Sequence, residues 1–337
     1  MRKLLILIVL VSFAGCSQDT DKEPVDNQPI NPIETILDNP APGVPQAKEE
    51  PDPKDPVDLR QRGNDLLAQG DPDQAIAFYT AAIEAKEDAK SYFNRGVAHM
   101  AKNLFDAALA DYSTAIKLEP KAASPYINRG LLLHRLGKTA QGIEDLTEAI
   151  KLDPKDATVS LNRGLLYLSV NMLNRAHIDF TKAIELDSQY ADAYINRGYC
   201  LHRMMKFQEA VKDFDAAIKL APTSALAVGN RGNAYTQLKK FDQAIADLNA
   251  AIRLESRDPQ LYNNRGSAYG AKGDHTNAAA DFARAIELAP EFASAYRNRG
   301  WAYHELKDRD RARADFARAL QLEPDHREGI PAEYLAK

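Results

Sequence analysis

Apolar residues recur at helical spacing along most of this chain. Tyr194 and Leu201, seven apart, fall on one helix face, and Ala210, Phe214 and Ala217 form a second stripe at the same period. Short segments such as Met205-Lys206-Phe207 separate the two runs and permit a tight antiparallel turn. The pattern predicts helical hairpins. Neither helix of a pair can bury its stripe alone, so each hairpin must lean on the next.

The same pattern has a fixed period. Asn-Arg-Gly recurs at Asn94, Asn128, Asn162, Asn196, Asn230, Asn264 and Asn298, always 34 residues apart, with Gln61-Arg62-Gly63 as a degenerate eighth copy. Such a period marks a solenoid or array. Four residues before the Gly most copies carry a large residue, most often Tyr, as at Tyr92, Tyr126 and Tyr194, although Ser160 stands there in one. Sixteen after it stand Tyr79, Tyr112, Leu146, Phe180, Phe214, Leu248, Phe282 and Phe316, and nineteen after it an unbroken set of alanines from Ala82 to Ala319. Pro120, Pro154, Pro222, Pro290 and Pro324 end units. This set of small, large and breaker residues resembles the tetratricopeptide repeat. The resemblance implies an all-α superhelical solenoid of eight helix-turn-helix repeats over residues 56–326, followed by a short tail, 327–337.

Glycine inside a helix costs about 1 kcal/mol relative to Ala. Its recurrence is read as structural, since a residue with no side chain lets the second helix approach closely. The Arg before it occurs in every copy, and an Asp follows fifteen residues after the Gly in seven. Arg95, Arg129, Arg163 and Arg197 are expected to pair with Asp111, Asp145, Asp179 and Asp213, partly buried and setting register more than adding stability. A pair repeated in every hairpin is scaffold, because a catalytic site occurs once. At the ends, Asp65 occupies a place held elsewhere by Ala98, Leu132 or Cys200, as expected with no preceding helix. The last helix, with Arg309, Arg311, Arg313 and Arg318, is expected to face water itself without a full capping helix.

Tetratricopeptide arrays bind peptides in a concave groove lined by first helices, so the resemblance places candidate contacts at the residues three and two before the Gly and one after it. The seven asparagines are similar to the asparagine ladder of O-linked N-acetylglucosamine transferases, where amides hold an extended peptide backbone. An amide donates and accepts, so it can pair with any backbone. The alternative is that each Asn packs on the adjoining hairpin. Side-chain choice would come from Phe93, Ile127, Leu161 and Ile195 together with Val97, Leu131, Leu165 and Tyr199, an apolar strip over repeats two to five. Here too the alternative is coverage by neighbouring first helices. Arg60, Asn64 and Asn94 resemble part of a carboxylate clamp, but Ser124 and Asn128 stand where further bases would be needed.

Composition changes the picture at the N-terminus. Residues 1–15 carry basic Arg2 and Lys3, an apolar run from Leu4 to Ala14 that is far below the ~20 residues of a membrane span, and small residues before Cys16. Phe13-Ala14-Gly15-Cys16 resembles the lipobox of bacterial lipoproteins, although Phe13 departs from the usual Leu; the resemblance implies a lipidated Cys16. Ser17 then fits delivery to the outer membrane, facing the periplasm, of a two-membraned bacterium. The tether, residues 16–55, together with Pro56 holds half of the chain's 18 prolines, and acids dominate. This stretch reads as a disordered tether reaching on the order of 35 Å. The signal and tether together account for the whole-chain charge of −5, so the repeats are neutral. No basic stripe is offered to nucleic acid.

His134, His202 and His304 share one repeat position and stand too far apart to hold one ion, Cys200 has no partner for a disulfide once Cys16 is lipidated, and no nucleophile elbow or phosphate loop appears. The expectation is a non-enzymatic envelope adaptor with no cofactor or metal, binding an extended or amphipathic protein segment. The rival is an assembly lipoprotein that self-associates as a homo-oligomer, its groove filled by another copy or by its own tether through Ile30, Ile33, Ile36 and Leu37.

Overall fold

The computed structural model describes residues 55–324, 327 and 330–335; the signal, Cys16 and the acidic segment through Lys54 lie outside the described residues. The described residues form helices and no strand. Eight hairpins follow one another: α1 (Pro56–Ala68) with α2 (Pro72–Ala85), α3 (Ala89–Ala101) with α4 (Phe105–Leu118), α5 (Ala123–Arg135) with α6 (Thr139–Leu152), and α7 (Ala157–Ser169) with α8 (Leu173–Leu186). Then come α9 (Ala191–Arg203) with α10 (Phe207–Leu220), α11 (Ala225–Gln237) with α12 (Phe241–Leu254), α13 (Pro259–Lys272) with α14 (His275–Leu288), and α15 (Ala293–Glu305) with α16 (Arg309–Leu322). A single turn, α17 (Ala332–Leu335), closes the series.

Two compact units divide the hairpins, α1 to α8 in one and α9 to α17 in the other. In the first unit α1 touches α3 and α5 touches α7; in the second α9, α11, α13 and α15 touch in turn. Each unit therefore has a wall of first helices.

Local chemistry explains the boundaries. Asp55, Asp71, Asp88, Asp156, Asp258, Asp274, Asp308 and Ser224 accept hydrogen bonds from backbone N–H groups of the first turns they precede. Proline opens α1, α2 and α13, where its missing N–H is not needed. First helices end on a left-handed residue. At Met205 the N–H reaches the His202 carbonyl at 2.9 Å, and the next N–H, of Lys206, reaches that of Leu201 at 2.9 Å. Gly70, Gly137 and Gly273 fill this place with φ of 76–92°, but Asn103, Asn171, Met205, Lys239 and Lys307 hold it at 58–61°. A side chain there costs about 1 kcal/mol relative to Gly. Lys239→Gly is therefore expected to raise the unfolding free energy of the second unit by about 1 kcal/mol, measured by urea denaturation; a loss of stability would mean that Lys239 makes a compensating contact.

The helical glycines face rings. A Cβ on Gly198 would lie 2.7 Å from the Phe214 ring of the same hairpin. Hairpin three replaces ring by backbone: a Cβ on Gly142 would lie 2.5 Å from the Gly130 carbonyl oxygen, and Leu146 takes the aromatic place. Alanines on the second helices, such as Ala183, Ala210 and Ala217, are wholly buried. Asp65 is exposed in α1, whereas Ala98, Leu132 and Cys200 at the matching places are buried, as an end without a preceding helix requires.

The other end corrects an expectation. α16 does not face water on its inner side, because the tail folds back over it: Ile330 and Tyr334 are buried against Ala312 and Phe316. The Tyr334 ring lies 5.1 Å from that of Phe316, and its hydroxyl is 3.0 Å from His304 Nδ1. One helical turn covers what a further hairpin would otherwise cover.

Candidate functional site

Arginine sits on the first helix one residue before the Gly, and Asp on the second helix of the same hairpin. The predicted pairs are bidentate. Arg95 Nε donates to Asp111 Oδ2 at 3.0 Å and Nη2 to Oδ1 at 2.8 Å; Arg129 with Asp145 and Arg163 with Asp179 repeat this at 2.8 Å in both bonds. Arg197 and Asp213 pair at 2.8 and 2.7 Å. Arg231, Arg265 and Arg299 do the same with Asp247, Asp281 and Asp315. The carboxylate hydrogen bonds push these guanidinium groups further upward, Arg197 through Asp213 for example.

A second contact was not foreseen. Nη1 of the Arg reaches back to the second helix of the preceding hairpin, at Thr80, Ser113 and Thr147 at 3.1 Å from Arg95, Arg129 and Arg163, at Asp215 at 2.8 Å from Arg231, and at Asn249 at 2.6 Å from Arg265. Each such Arg thus ties its own hairpin to the one before. Before Arg299 the matching residue is Ala283, which has no acceptor. Ala283→Thr is expected to stabilise the last hairpin by about 1 kcal/mol, read as slower hydrogen exchange in α15 and α16; unchanged exchange would mean that the hydroxyl does not reach Arg299.

The first helices of each unit carry the asparagines, Asn94, Asn128 and Asn162 in the first and Asn196, Asn230, Asn264 and Asn298 in the second, and the residues three further on share their helix face. Most asparagines are engaged within the chain. Asn94 Nδ2 donates to Asn64 Oδ1 at 2.8 Å, Asn128 hydrogen-bonds Tyr112, Asn196 Nδ2 donates to its own helix at the Asp192 carbonyl at 2.8 Å, Asn264 Oδ1 accepts from Gln260, and Asn298 Nδ2 donates to Asn263. Asn230 is buried at 7% exposure with Asn196 and Asn264 at 9% and 5%. Asn162 differs from all of these. It is fully buried, and neither Nδ2 nor Oδ1 has a hydrogen-bond partner.

The apolar strip is largely core. Ile127 packs with Leu146, Ala149, Val159 and Leu166, and Ile195 with Ala217 and Ala227, so the residue three before the Gly leans into the next hairpin instead of standing open. Phe93 packs against Tyr112 and Leu132. Gly229 shows the same geometry in reverse, since a Cβ there would lie 2.7 Å from Leu261 of the next first helix. Val97 and Leu131 remain half-buried, while Leu161, Leu165 and Tyr199 are buried. The clamp residues are also engaged: Arg60 pairs with Asp88 at 3.2 Å and Asn64 accepts from Tyr79 at 2.9 Å.

Among the described residues no three His, Cys, Asp or Glu side chains come together as metal ligands, and no helix is long and apolar enough to cross a membrane. Burial, with the Arg203 charge beside it, pushes His202 down to about 4, and burial also lowers His134. A depressed histidine gives stability that is complete above its unfolded value of 6.5 and is lost as pH falls toward the folded value. Stability is expected to fall by on the order of 3 kcal/mol over that window through His202, and His202→Leu should flatten this part of the pH profile; an identical acid limb in the variant would assign the loss to other groups.

Comparison with known proteins places this architecture. Models described as tetratricopeptide repeat match residues 60–126, 96–161, 191–224, 259–292 and 293–326, and one described as TPR repeat matches 232–273. No curated protein sequence matches. A tetratricopeptide repeat protein from Parabacteroides merdae is 21% identical, with a TM-score of 0.57 over 73% of this chain and 98% of its own. The type IV pilus biogenesis factor PilW is 20% identical, with a TM-score of 0.58 over 64% and 98%. Pseudomonas aeruginosa pilF is 22% identical, at 0.53 over 64% and 96%. At these identities the solved structures share the fold and nothing finer. The family matches together cover well over half of the sequence, and this chain belongs to the tetratricopeptide repeat family.

Proposed function

We propose that this chain is a non-enzymatic scaffold, lipid-anchored through Cys16 in a bacterial envelope, that holds an extended segment of a partner protein along the first-helix wall of its N-terminal unit. A protein-interaction role follows from the fold; the anchor and the mode of binding are the proposal. One observation carries the mode. The Asn162 amide is fully buried with neither its donor nor its acceptor paired within the chain, which costs about 1–3 kcal/mol, so a segment that parts the wall at α7 would find both groups unused. A helical ligand cannot do so, because its backbone groups are bonded internally. An extended ligand offers an N–H and a C=O together, matching Nδ2 and Oδ1.

The ladder then reduces to one rung in this unit. Asn94 and Asn128 are engaged within the chain, so the backbone grip concentrates at α7, beside Leu161 and Leu165. Photo-crosslinking from position 131 in cells, which leaves Asn162 intact, is expected to capture a partner, and Asn162→Ala should cut the yield about tenfold, as loss of one to two hydrogen bonds implies. Capture that is indifferent to Asn162→Ala would remove the backbone grip. Cys16→Ala should separately abolish lipid labelling.

A further inference from the structure

We infer that the hairpin turns at one edge of the second unit form a lipid-facing surface, in which Met205 enters the headgroup region of an anionic bilayer and the cations around it, Arg203, Lys206, Lys239 and Lys240, meet the lipid charge. The surface is separate from the first-helix wall, and the inference does not depend on a lipid at Cys16.

α9 ends at Arg203 and α10 begins at Phe207, so Met204, Met205 and Lys206 make the turn; α11 ends at Gln237 and α12 begins at Phe241, so Leu238, Lys239 and Lys240 make the next one. The two turns are neighbours, since α9 touches α11, and packed helices stand about 8–10 Å apart. Met205 is 67% exposed, more than any other large apolar side chain among the described residues. It also sits at φ 60°, in the place that Gly70, Gly137 and Gly273 fill in other hairpins and where a β-carbon is disfavoured. Neither burial nor backbone geometry explains a methionine there. Its side chain projects from the outside of a turn. The fluid boundary of a bilayer receives such a convex apolar tip, whereas a protein partner could take it only with a matching pocket.

Charge favours the same edge. The two turns and the residues bordering them carry Arg203, Lys206, Lys239 and Lys240 against Glu209 and Asp242. Both acids are engaged: Glu209 lies 3.8 Å from Lys206, and Asp242 accepts from Lys272, at the following turn, at 2.7 Å. The opposite edge of the unit, where one hairpin passes to the next, has the other sign. Residues 221–224, 255–258 and 289–292 carry Glu255, Asp258 and Glu291 against Arg257 alone. An anionic surface therefore attracts one edge and repels the other. Each lysine near such a surface is worth about fivefold in partitioning, and burial of the methionine about tenfold. The first unit has a turn of similar make: Val170 and Met172, 41% and 46% exposed, flank left-handed Asn171, with Arg175 in the first turn of α8.

The test uses the full chain from residue 16 onward with Cys16→Ala, so that no acyl chain contributes. It measures co-sedimentation with vesicles of phosphatidylethanolamine and phosphatidylglycerol, or of phosphatidylcholine alone. Binding to the anionic vesicles is expected to exceed binding to the neutral ones by at least about tenfold and to fall as salt is raised. Lys239→Gln/Lys240→Gln should cost about twentyfold, and Met205→Gly about tenfold. Glycine suits the left-handed turn, so the second variant keeps its fold. A polarity-sensitive dye on Met205→Cys, with Cys200 buried and shielded from it, should shift to the blue on the anionic vesicles. Equal binding to both kinds of vesicle, an unchanged affinity in Met205→Gly, or a dye that does not shift while the chain binds overturns the inference. A chain that ignores vesicles but binds polyglutamate through Lys239 and Lys240 would make the turns a protein-docking site, which overturns it too.

Discussion

Asp213→Ala will lower the unfolding free energy of the second unit by about 3 kcal/mol, as breaking one partner of a buried ion pair does. The Asp213 side chain is 9% exposed and that of Arg197 is 19% exposed, so removing the carboxylate leaves a guanidinium facing protein with its Nε and Nη2 unpaired. Hydrogen bonds to charged groups are the strong ones, and two parallel bonds at 2.8 and 2.7 Å are lost together. Urea unfolding monitored by circular dichroism measures the loss, and hydrogen exchange locates it in α9 and α10. Replacing both partners by apolar residues, Arg197→Met with Asp213→Leu, should recover most of it, because the pair sets register more than it adds net stability. A loss below about 0.5 kcal/mol in the single variant would reduce the pair to a surface contact.

Gly198→Val will cost about 3 kcal/mol, since inserted carbon atoms in a packed site force neighbours off their rotamers. The first of the added atoms would stand 2.7 Å from the Phe214 ring, which is itself wholly buried between helices. Phe214→Leu copies hairpins three and six, where Leu146 and Leu248 replace the ring. In that background the cost of Gly198→Val should drop by at least about 1 kcal/mol, the coupling expected of two residues in contact. Additive losses would mean that the glycine is required by some other neighbour.

The period of 34 made the hairpins and their number readable, because small, large and breaker residues recur in phase. The Arg–Asp pairing was readable for the same reason, as both partners keep their chemistry in seven copies. The second Arg contact was hidden because its acceptors, Thr80, Ser113, Thr147, Asp215 and Asn249, share a position but no residue type. The strip failed as an open surface for a geometric reason. Ile127 and Ile195 lie on a face that periodicity marks as apolar, but only the rotation of each hairpin against the next decides whether that face meets solvent or Val159 and Ala227. The exceptional state of Asn162 was likewise invisible: seven identical letters differ only in whether a neighbour such as Asn64, Tyr112 or Gln260 happens to take the amide.

The backward reach of the arginines has a consequence for how the protein is made. A ribosome delivers hairpins in order, the N-terminal ones first. When Arg129 emerges, the Ser113 hydroxyl that accepts from its Nη1 has already been synthesised, and when Arg163 emerges so has Thr147. Hairpins two, three, four, six and seven can each latch onto a finished predecessor without waiting for a successor, so assembly can follow the order of synthesis.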